Sequence, residues 1–173
     1  MKRILVTLAT ALLATACSVI DRQPDPAPLD ASARWALLPI ANHTDTPQAG
    51  LRAEAITEGV LRARGVSNVV RYPARMGAEA LLEPAERKLQ DDARKWARDQ
   101  GARYGVHGAV DEWRYKVGID GEPAVGLAIT IVDLQTGQVV FSAVGGKSGW
   151  SREALSAVAQ KLVRDLLATA ELK

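Results

Sequence analysis

Cysteine and histidine are scarce in this sequence, with one cysteine and two histidines among 173 residues. A single cysteine cannot form an intramolecular disulfide. Zinc sites need several cysteine, histidine or carboxylate ligands at characteristic spacings, and His43 and His107 fit none of them. The sequence therefore predicts no metal and no cofactor, and a single core that closes without cross-links.

An excess of charge of either sign is also missing. The chain has 22 basic and 20 acidic residues, and two of the basic ones are Lys2 and Arg3 at the extreme N-terminus. Without that pair the two signs balance. Proteins built to hold nucleic acid carry a basic surplus, so we expect no nucleic-acid partner.

No apolar run is long enough to span a bilayer. The longest, 4–16, follows Lys2-Arg3 and would make about 20 Å of helix, against the ~30 Å of a bilayer core. A cationic start and a short apolar run are typical of a secretion signal. We therefore predict that residues 1–16 are a signal peptide that is removed.

Cys17 follows the small residues Ala14-Thr15-Ala16, which suit cleavage before the cysteine. The stretch Leu13 to Cys17 resembles a bacterial lipobox, which implies a lipid-bearing Cys17 with palmitate among its acyl chains; cleavage without lipid is the alternative. Ser18, in place of aspartate, implies sorting to the periplasmic face of the outer membrane. Residues 17–33, with three prolines, are predicted to form a semi-extended tether.

Residues 34–173 are predicted to form one α/β domain, a mixed β-sheet with packed helices in the order β-α-β-α-β-β-β-α. The apolar stripe of the last helix is the clearest helical pattern, and Ser151 is expected to cap that helix. A bulge is expected near 110–112 and a hairpin turn at 135–137. The predicted strands cover 35–40, 69–72, 104–117, 125–134 and 139–144. The predicted helices cover 49–64 and 84–100, followed by a last helix whose apolar stripe runs from 155 to 167.

Catalytic motifs are not evident. Gly146-Lys147-Ser148 resembles the end of a phosphate-binding loop, but Phe141 stands where that loop needs a glycine. The acidic residues form no recognisable catalytic pair. We therefore predict that the protein is not an enzyme.

Trp150 lies in a glycine-rich stretch, 145–150, that is expected to be a flexible link before the last helix. Tryptophan beside Lys147 suits a membrane interface, with the ring among the headgroups and the amine in water. The alternative is that Trp150 folds back over the core as a lid.

Two acidic positions also stand out. Asp120-Gly121-Glu122 is an acidic turn between two predicted strands, and Asp111-Glu112 marks the expected bulge. Solvated turn and edge carboxylates are the ordinary interpretation.

Two motifs carry a family resemblance. Residues 35–42, Trp-Ala-Leu-Leu-Pro-Ile-Ala-Asn, resemble the first strand of the N-terminal domain shared by TolB and CsgG. Residues 101–108, Gly-Ala-Arg-Tyr-Gly-Val-His-Gly, are similar to a helix-to-strand junction of the same group. The length, the lipidated start and a tryptophan just before the last helix resemble the PelC family of outer-membrane lipoproteins, which serve Pel exopolysaccharide export in biofilms.

The resemblance implies a dodecameric ring of identical copies on outer-membrane lipid, with Trp150 and Lys147 at the membrane. It also implies a lumen lined by acidic residues, with Asp120 the best match and Asp111 and Glu122 weaker ones. Such a ring would guide the cationic Pel polysaccharide to the porin PelB, because repeated carboxylates attract a polycation. Arg114 and Lys116 lie near the acidic turn and would dilute that charge.

A second hypothesis from the same fold group is a binding module, such as a lipoprotein that activates a peptidoglycan synthase across the periplasm. Members of that class usually carry a tether much longer than residues 18–33.

Overall fold

The computed structural model describes residues 18–24, 26–73, 83–118 and 121–173, so the predicted signal peptide and Cys17 lie outside these ranges. The elements there are β1 (Ser18–Arg22), β2 (Trp35–Asn42), α1 (Ala49–Ala63), β3 (Val69–Arg71), α2 (Glu83–Asp99), β4 (Tyr104–Tyr115), β5 (Pro123–Asp133), β6 (Val139–Ser148) and α3 (Leu155–Leu167). From β2 onward the predicted order is confirmed, and β1 is an additional strand.

The six strands form one mixed sheet in the order β1-β6-β5-β4-β2-β3. Strand β2 is parallel to both of its neighbours, because the helices α1 and α2 carry the chain back before β3 and β4. Strands β4, β5 and β6 form an antiparallel meander. The predicted bulge is confirmed by a register shift between Val110 and Glu112. The turn after β5 is stabilised by the Asp133 carboxylate, which accepts the N–H groups of Gln135 and Thr136.

The main core lies on the face of the sheet that packs against α1 and α3. The predicted stripe of α3 is confirmed, since its six buried residues are Val158, Ala159, Leu162, Val163, Leu166 and Leu167. Trp35 of β2 is fully buried there, with its ring centroid 4.7 Å from that of Tyr104. Burial of large apolar side chains on this face supplies most of the stabilisation.

Helix α2 packs on the opposite face. Its buried residues Ala93 and Ala97 meet Ala36 and Leu38 of β2. Small side chains on both surfaces let the helix approach the strand closely. Trp96, beside them, packs edge-on against Tyr72 with ring centroids 5.3 Å apart.

Residues 49–64 have apolar side chains near helical spacing that predict a buried stripe on α1, and this prediction is partly wrong; the residues are Leu51, Ala55, Ile56, Val60 and Leu61. Leu51 is 43% exposed and Ala55 is exposed, whereas Glu54 is buried. The physical reason lies in β2, whose register with β4 shifts between Leu37 and Ile40. The Ile40 N–H donates to Glu54 Oε1 at 3.1 Å, so a carboxylate occupies a position that periodicity assigns to an apolar residue.

The predicted tether of residues 17–33 is also wrong for the residues the structure describes. Strand β1 pairs with the edge strand β6 over five residues, from Ser18 opposite Lys147 to Arg22 opposite Ala143. Leu29 is only 2% exposed, and its N–H donates to the Glu171 carbonyl. Local composition did not reveal this because both partners are distant in the sequence.

The glycine-rich stretch predicted as a flexible link is largely strand. Strand β6 continues to Ser148, with β5 on one side and β1 on the other. A Cβ at Gly145 would lie 2.6 Å from the Val19 carbonyl oxygen. Glycine is therefore required there because it lets β1 come close enough to pair.

Candidate functional site

Several chain segments meet at one end of the sheet, which we call the Trp150 end and define as residues 18–19, 115–118, 121–123 and 147–155. It contains the start of β1, the end of β6, the β4–β5 hairpin and the start of α3. The antiparallel register brings these together, with Ser18 opposite Lys147 and Ala124 opposite Ser148. Cys17 is bonded directly to Ser18, so the predicted lipid-bearing residue adjoins this end.

Trp150 is 58% exposed, so the alternative of a lid over the core is wrong. The indole is presented two residues after the end of β6. Gly149 makes that turn possible, because a Cβ there would lie 2.5 Å from Val158 Cγ2 and 2.9 Å from the Pro123 side chain. The Gly149 N–H donates to the Pro123 carbonyl at 2.8 Å, which ties the turn to β5.

The predicted cap at Ser151 is wrong. Helix α3 begins at Leu155, and Ala154 occupies the N-cap position without a side-chain hydrogen bond. Residues 149–154 instead form a turn organised by Glu153, whose carboxylate accepts the Trp150 N–H at 3.2 Å. Ser151 lies inside this turn, which the hydrogen bond between Trp150 and Glu153 closes, so it does not reach the N-cap position of α3.

Contrary to the prediction, Lys147 does not present a free amine beside Trp150. Its side chain lies on the α3 side of β6 and is only 17% exposed. The Nζ donates to Asp165 Oδ2 of α3 at 2.9 Å. The amine is therefore held in an ion pair between strand and helix, and it is not free to contact lipid headgroups.

Sequence reasoning missed further apolar side chains at this end. Val117 is fully exposed in the β4–β5 hairpin, and Val19 and Tyr115 are also exposed. Lys116 lies beside them, with its Nζ 2.7 Å from Ser148 Oγ. Exposed apolar groups interleaved with cations are typical of surfaces that meet lipid headgroups. The alternation of residues along this hairpin is the sequence signal that could have indicated Val117.

Among the residues that the structure describes, the predicted acidic residues do not form one cluster. Asp120 lies outside the described residues. Glu122 is at the Trp150 end, where its carboxylate is 3.9 Å from Lys116 Nζ. Asp111 lies on the bulge, with Oδ1 3.1 Å from His43 Nδ1, and the other ring nitrogen of His43 is 3.6 Å from Glu86. Arg114 pairs with Glu112 at 3.0 Å, a carboxylate other than the three predicted for the lumen.

Other polar groups serve the fold. His107 lies beneath α2, where burial and the nearby positive charge of Arg94 lower its pKa to about 4, which keeps it neutral. The Arg64 guanidinium donates to the carbonyls of Leu167 and Ala170 at the end of α3. It lines an open groove of 540 Å³ beside the C-terminal tail, and burial lowers its pKa.

Two features are absent from the residues that the structure describes. No helix there is long and apolar enough to cross a membrane. No group of three or more histidine, cysteine, aspartate or glutamate side chains is arranged there to hold a metal ion.

The fold is shared with a class of bacterial lipoprotein domains. The lipoprotein GNA1162 from Neisseria meningitidis superposes with a TM-score of 0.54 at 18% identity, over 79% of this chain and 96% of that one. No protein-family model and no curated protein matches the chain.

Two solved PelC dodecamers from Paraburkholderia phytofirmans are much more similar. One is a single-substitution variant, with a TM-score of 0.78 and 39% identity over 91% of this chain and 100% of that one. The other has a TM-score of 0.76 and 38% identity over the same shares. Identity at this level across the whole partner shows that the chain belongs to the PelC family of Pel export lipoproteins.

Proposed function

We propose that this protein forms a ring at the periplasmic face of the outer membrane and guides the cationic Pel polysaccharide to the porin PelB, without catalysing a reaction. The observation that carries the proposal is the 39% identity to a PelC dodecamer over 100% of that chain. The alignment covers the whole of that relative, which supports counterparts here of the surfaces that close its ring.

Membrane attachment involves two features at one end of the sheet. The lipid on Cys17 would emerge beside Ser18, and Ser18 pairs with Lys147, three residues before Trp150. Paired strands lie about 4.8 Å apart. Acyl chains and indole would therefore enter the same leaflet side by side, and several acyl chains with an interfacial aromatic ring anchor more firmly than either alone.

Guidance of the polymer would come from the acidic residues Asp120, Glu122 and Asp111 facing the lumen. The exposed Glu122 carboxylate and the Asp111 carboxylate each have a single cationic or ionisable neighbour. In a ring each carboxylate recurs once per subunit, and like charges on a concave wall raise the local concentration of a polycation. The arrangement of charge, and not the net charge, then produces the attraction.

The direct test is the assembly state of the lipid-free mature chain, residues 18–173, measured by light scattering and negative-stain imaging. We expect closed rings. Trp150→Ala should keep the ring but abolish Pel secretion in cells, whereas Val139→Ala, at an exposed site on the far end of β6, is the matched control. A monomer at high concentration in solution and on vesicles would contradict the proposal.

The lumen is tested separately. Glu122→Gln and Asp120→Asn should lower the affinity of the ring for a partly deacetylated, cationic glycan, and the loss should shrink at high salt because screening removes the same attraction. Glu171→Gln, at the C-terminal tail, is the control. Equal affinity in all variants would show that Glu122 and Asp120 do not attract the polymer.

A synthase-activating role is less well supported. Strand β1 begins at Ser18, directly after the predicted anchor residue. A domain joined this closely to its lipid stays at the membrane, whereas reaching a synthase across the periplasm needs a long tether.

A further inference from the structure

The turn that presents Trp150 has a defined set of contacts. Strand β6 ends at Ser148 and α3 begins at Leu155, so the chain reverses within six residues. Within this turn Arg152 has φ of +67°, a left-handed conformation that non-glycine residues rarely adopt. Local preference does not favour this geometry, so other contacts must maintain it.

Glu153 supplies those contacts. Its Oε2 accepts the Trp150 N–H at 3.2 Å, and its own N–H donates to the Trp150 carbonyl at 2.9 Å. Its other oxygen, Oε1, lies 2.5 Å from Nζ of Lys161, on the second turn of α3. The lysine therefore orients the carboxylate, which holds the Trp150 N–H, while the Glu153 backbone N–H holds the Trp150 carbonyl.

A third side chain joins the turn to the sheet. The Tyr115 hydroxyl, at the end of β4, donates to the Glu153 carbonyl at 3.3 Å and accepts the Leu155 N–H at 3.3 Å. The turn is thus bonded to β4 through Tyr115, to β5 through Gly149 and to α3 through Lys161.

We propose that Glu153, oriented by Lys161, is the positioning residue that holds Trp150 in its exposed, membrane-facing orientation. The inference rests on the proposed function, in which Trp150 contacts lipid. A free turn would let the indole pack onto neighbouring apolar surface in water, and membrane binding would then have to order the turn. Fixing the turn beforehand removes that ordering cost from binding.

The experiment compares the full mature chain with five variants, one of which is Trp150→Ala. Glu153→Gln and Lys161→Met weaken the contact from either side, and Lys161→Arg should restore it. Lys88→Met removes an exposed lysine ion pair on α2 and serves as the matched control. The readouts are hydrogen exchange of the Trp150 and Glu153 amides, ring assembly, and binding to vesicles of phosphatidylethanolamine and phosphatidylglycerol.

We expect Glu153→Gln and Lys161→Met to speed exchange of both amides and to weaken vesicle binding by about fivefold, the upper end of what a partly exposed ion pair contributes. Rings should persist, and Lys161→Arg and Lys88→Met should resemble the parent. Unchanged exchange and binding in both disruptive variants, alongside weaker binding of Trp150→Ala, would overturn the positioning role and leave the membrane contact intact. Normal vesicle binding of Trp150→Ala would instead overturn the membrane contact, and the inference with it.

Discussion

Glu54 beneath β2 and Glu153 at the Trp150 end both accept a backbone N–H, yet their pKa values shift in opposite directions. Burial raises the pKa of Glu54, partly offset by the Ile40 N–H and Arg71. The hydrogen bond from Lys161, followed by that of the Trp150 N–H, lowers the pKa of Glu153. The first carboxylate completes the core, whereas the second shapes an exposed surface, so the two regions should respond differently to substitution and to pH.

The two tryptophans of these regions should give the largest contrast. Trp35→Ala leaves a cavity between β2 and the helices and should lower the free energy of unfolding by about 3–5 kcal/mol. Trp150→Ala removes an exposed ring and should change it by no more than about 0.5 kcal/mol. Urea denaturation of both variants checks this, and equal losses would show that the Trp150 end also stabilises the fold.

Removal of the buried acceptor should have the next largest effect. Glu54→Leu leaves the Ile40 N–H buried without a partner and should cost about 2 kcal/mol, whereas Glu54→Gln keeps an acceptor. Since the folded pKa of Glu54 is raised, its contribution to stability is fully present below the ordinary value of 4.5 and is lost as pH rises through the folded pKa. Urea titrations across this window should show a weaker pH dependence for Glu54→Gln, and identical profiles would contradict the assignment.

Alanine substitutions at two adjacent glycines of β6 test whether the close approach of the two strands holds β1 in the sheet. Gly145→Ala places a Cβ against the Val19 carbonyl and should destabilise the chain by about 1 kcal/mol, with faster amide exchange in β1. Gly146→Ala is the control, because a Cβ there meets its nearest atom at 3.7 Å. If the β1 amides stay protected from exchange in both variants, the close approach at Gly145 is not what holds the strand in place.

The smallest effect is expected from Glu153 under acid. Because its folded pKa is lowered, its contribution is present above 4.5 and is lost as pH falls through the folded pKa, the reverse of Glu54. Quenching of Trp150 by acrylamide, taken as the difference between the parent and Trp150→Phe, should decrease in that acid range, because a free turn lets the indole pack onto apolar surface. Lys161→Met should show the lower quenching already at neutral pH, and a flat profile in the parent would argue against the positioning role of Glu153.

Most of the fold could be predicted because its signals are local. The stripe of α3 and the turn at 135–137 each depend on residues within one or two turns of chain. Residues 18–22 gave no such signal, since they become a strand only by pairing with β6 across more than a hundred positions. Residues 145–148 pair with β5 as well as β1, but their glycines hide the strand pattern. Glu54 was missed for a related reason, because its burial follows from an irregularity in a different element.

Prediction of the site was less complete. The sequence indicated Trp150 but left its exposure open, because exposure depends on contacts of Gly149 and Glu153 with β5 and α3. Lys147 was assigned to the membrane by proximity in sequence, although strand alternation turns it toward Asp165. Asp120 stays a prediction that rests on family resemblance.

The direct junction between the predicted lipidated cysteine and β1 has a mechanical consequence. A pull on the acyl chains would act along the axis of β1, and its backbone hydrogen bonds to β6 lie across that axis. Force would therefore load those bonds together in shear instead of opening them one after another. In a ring of such subunits, tension arising from polymer passage would be transmitted from the membrane straight into the sheet.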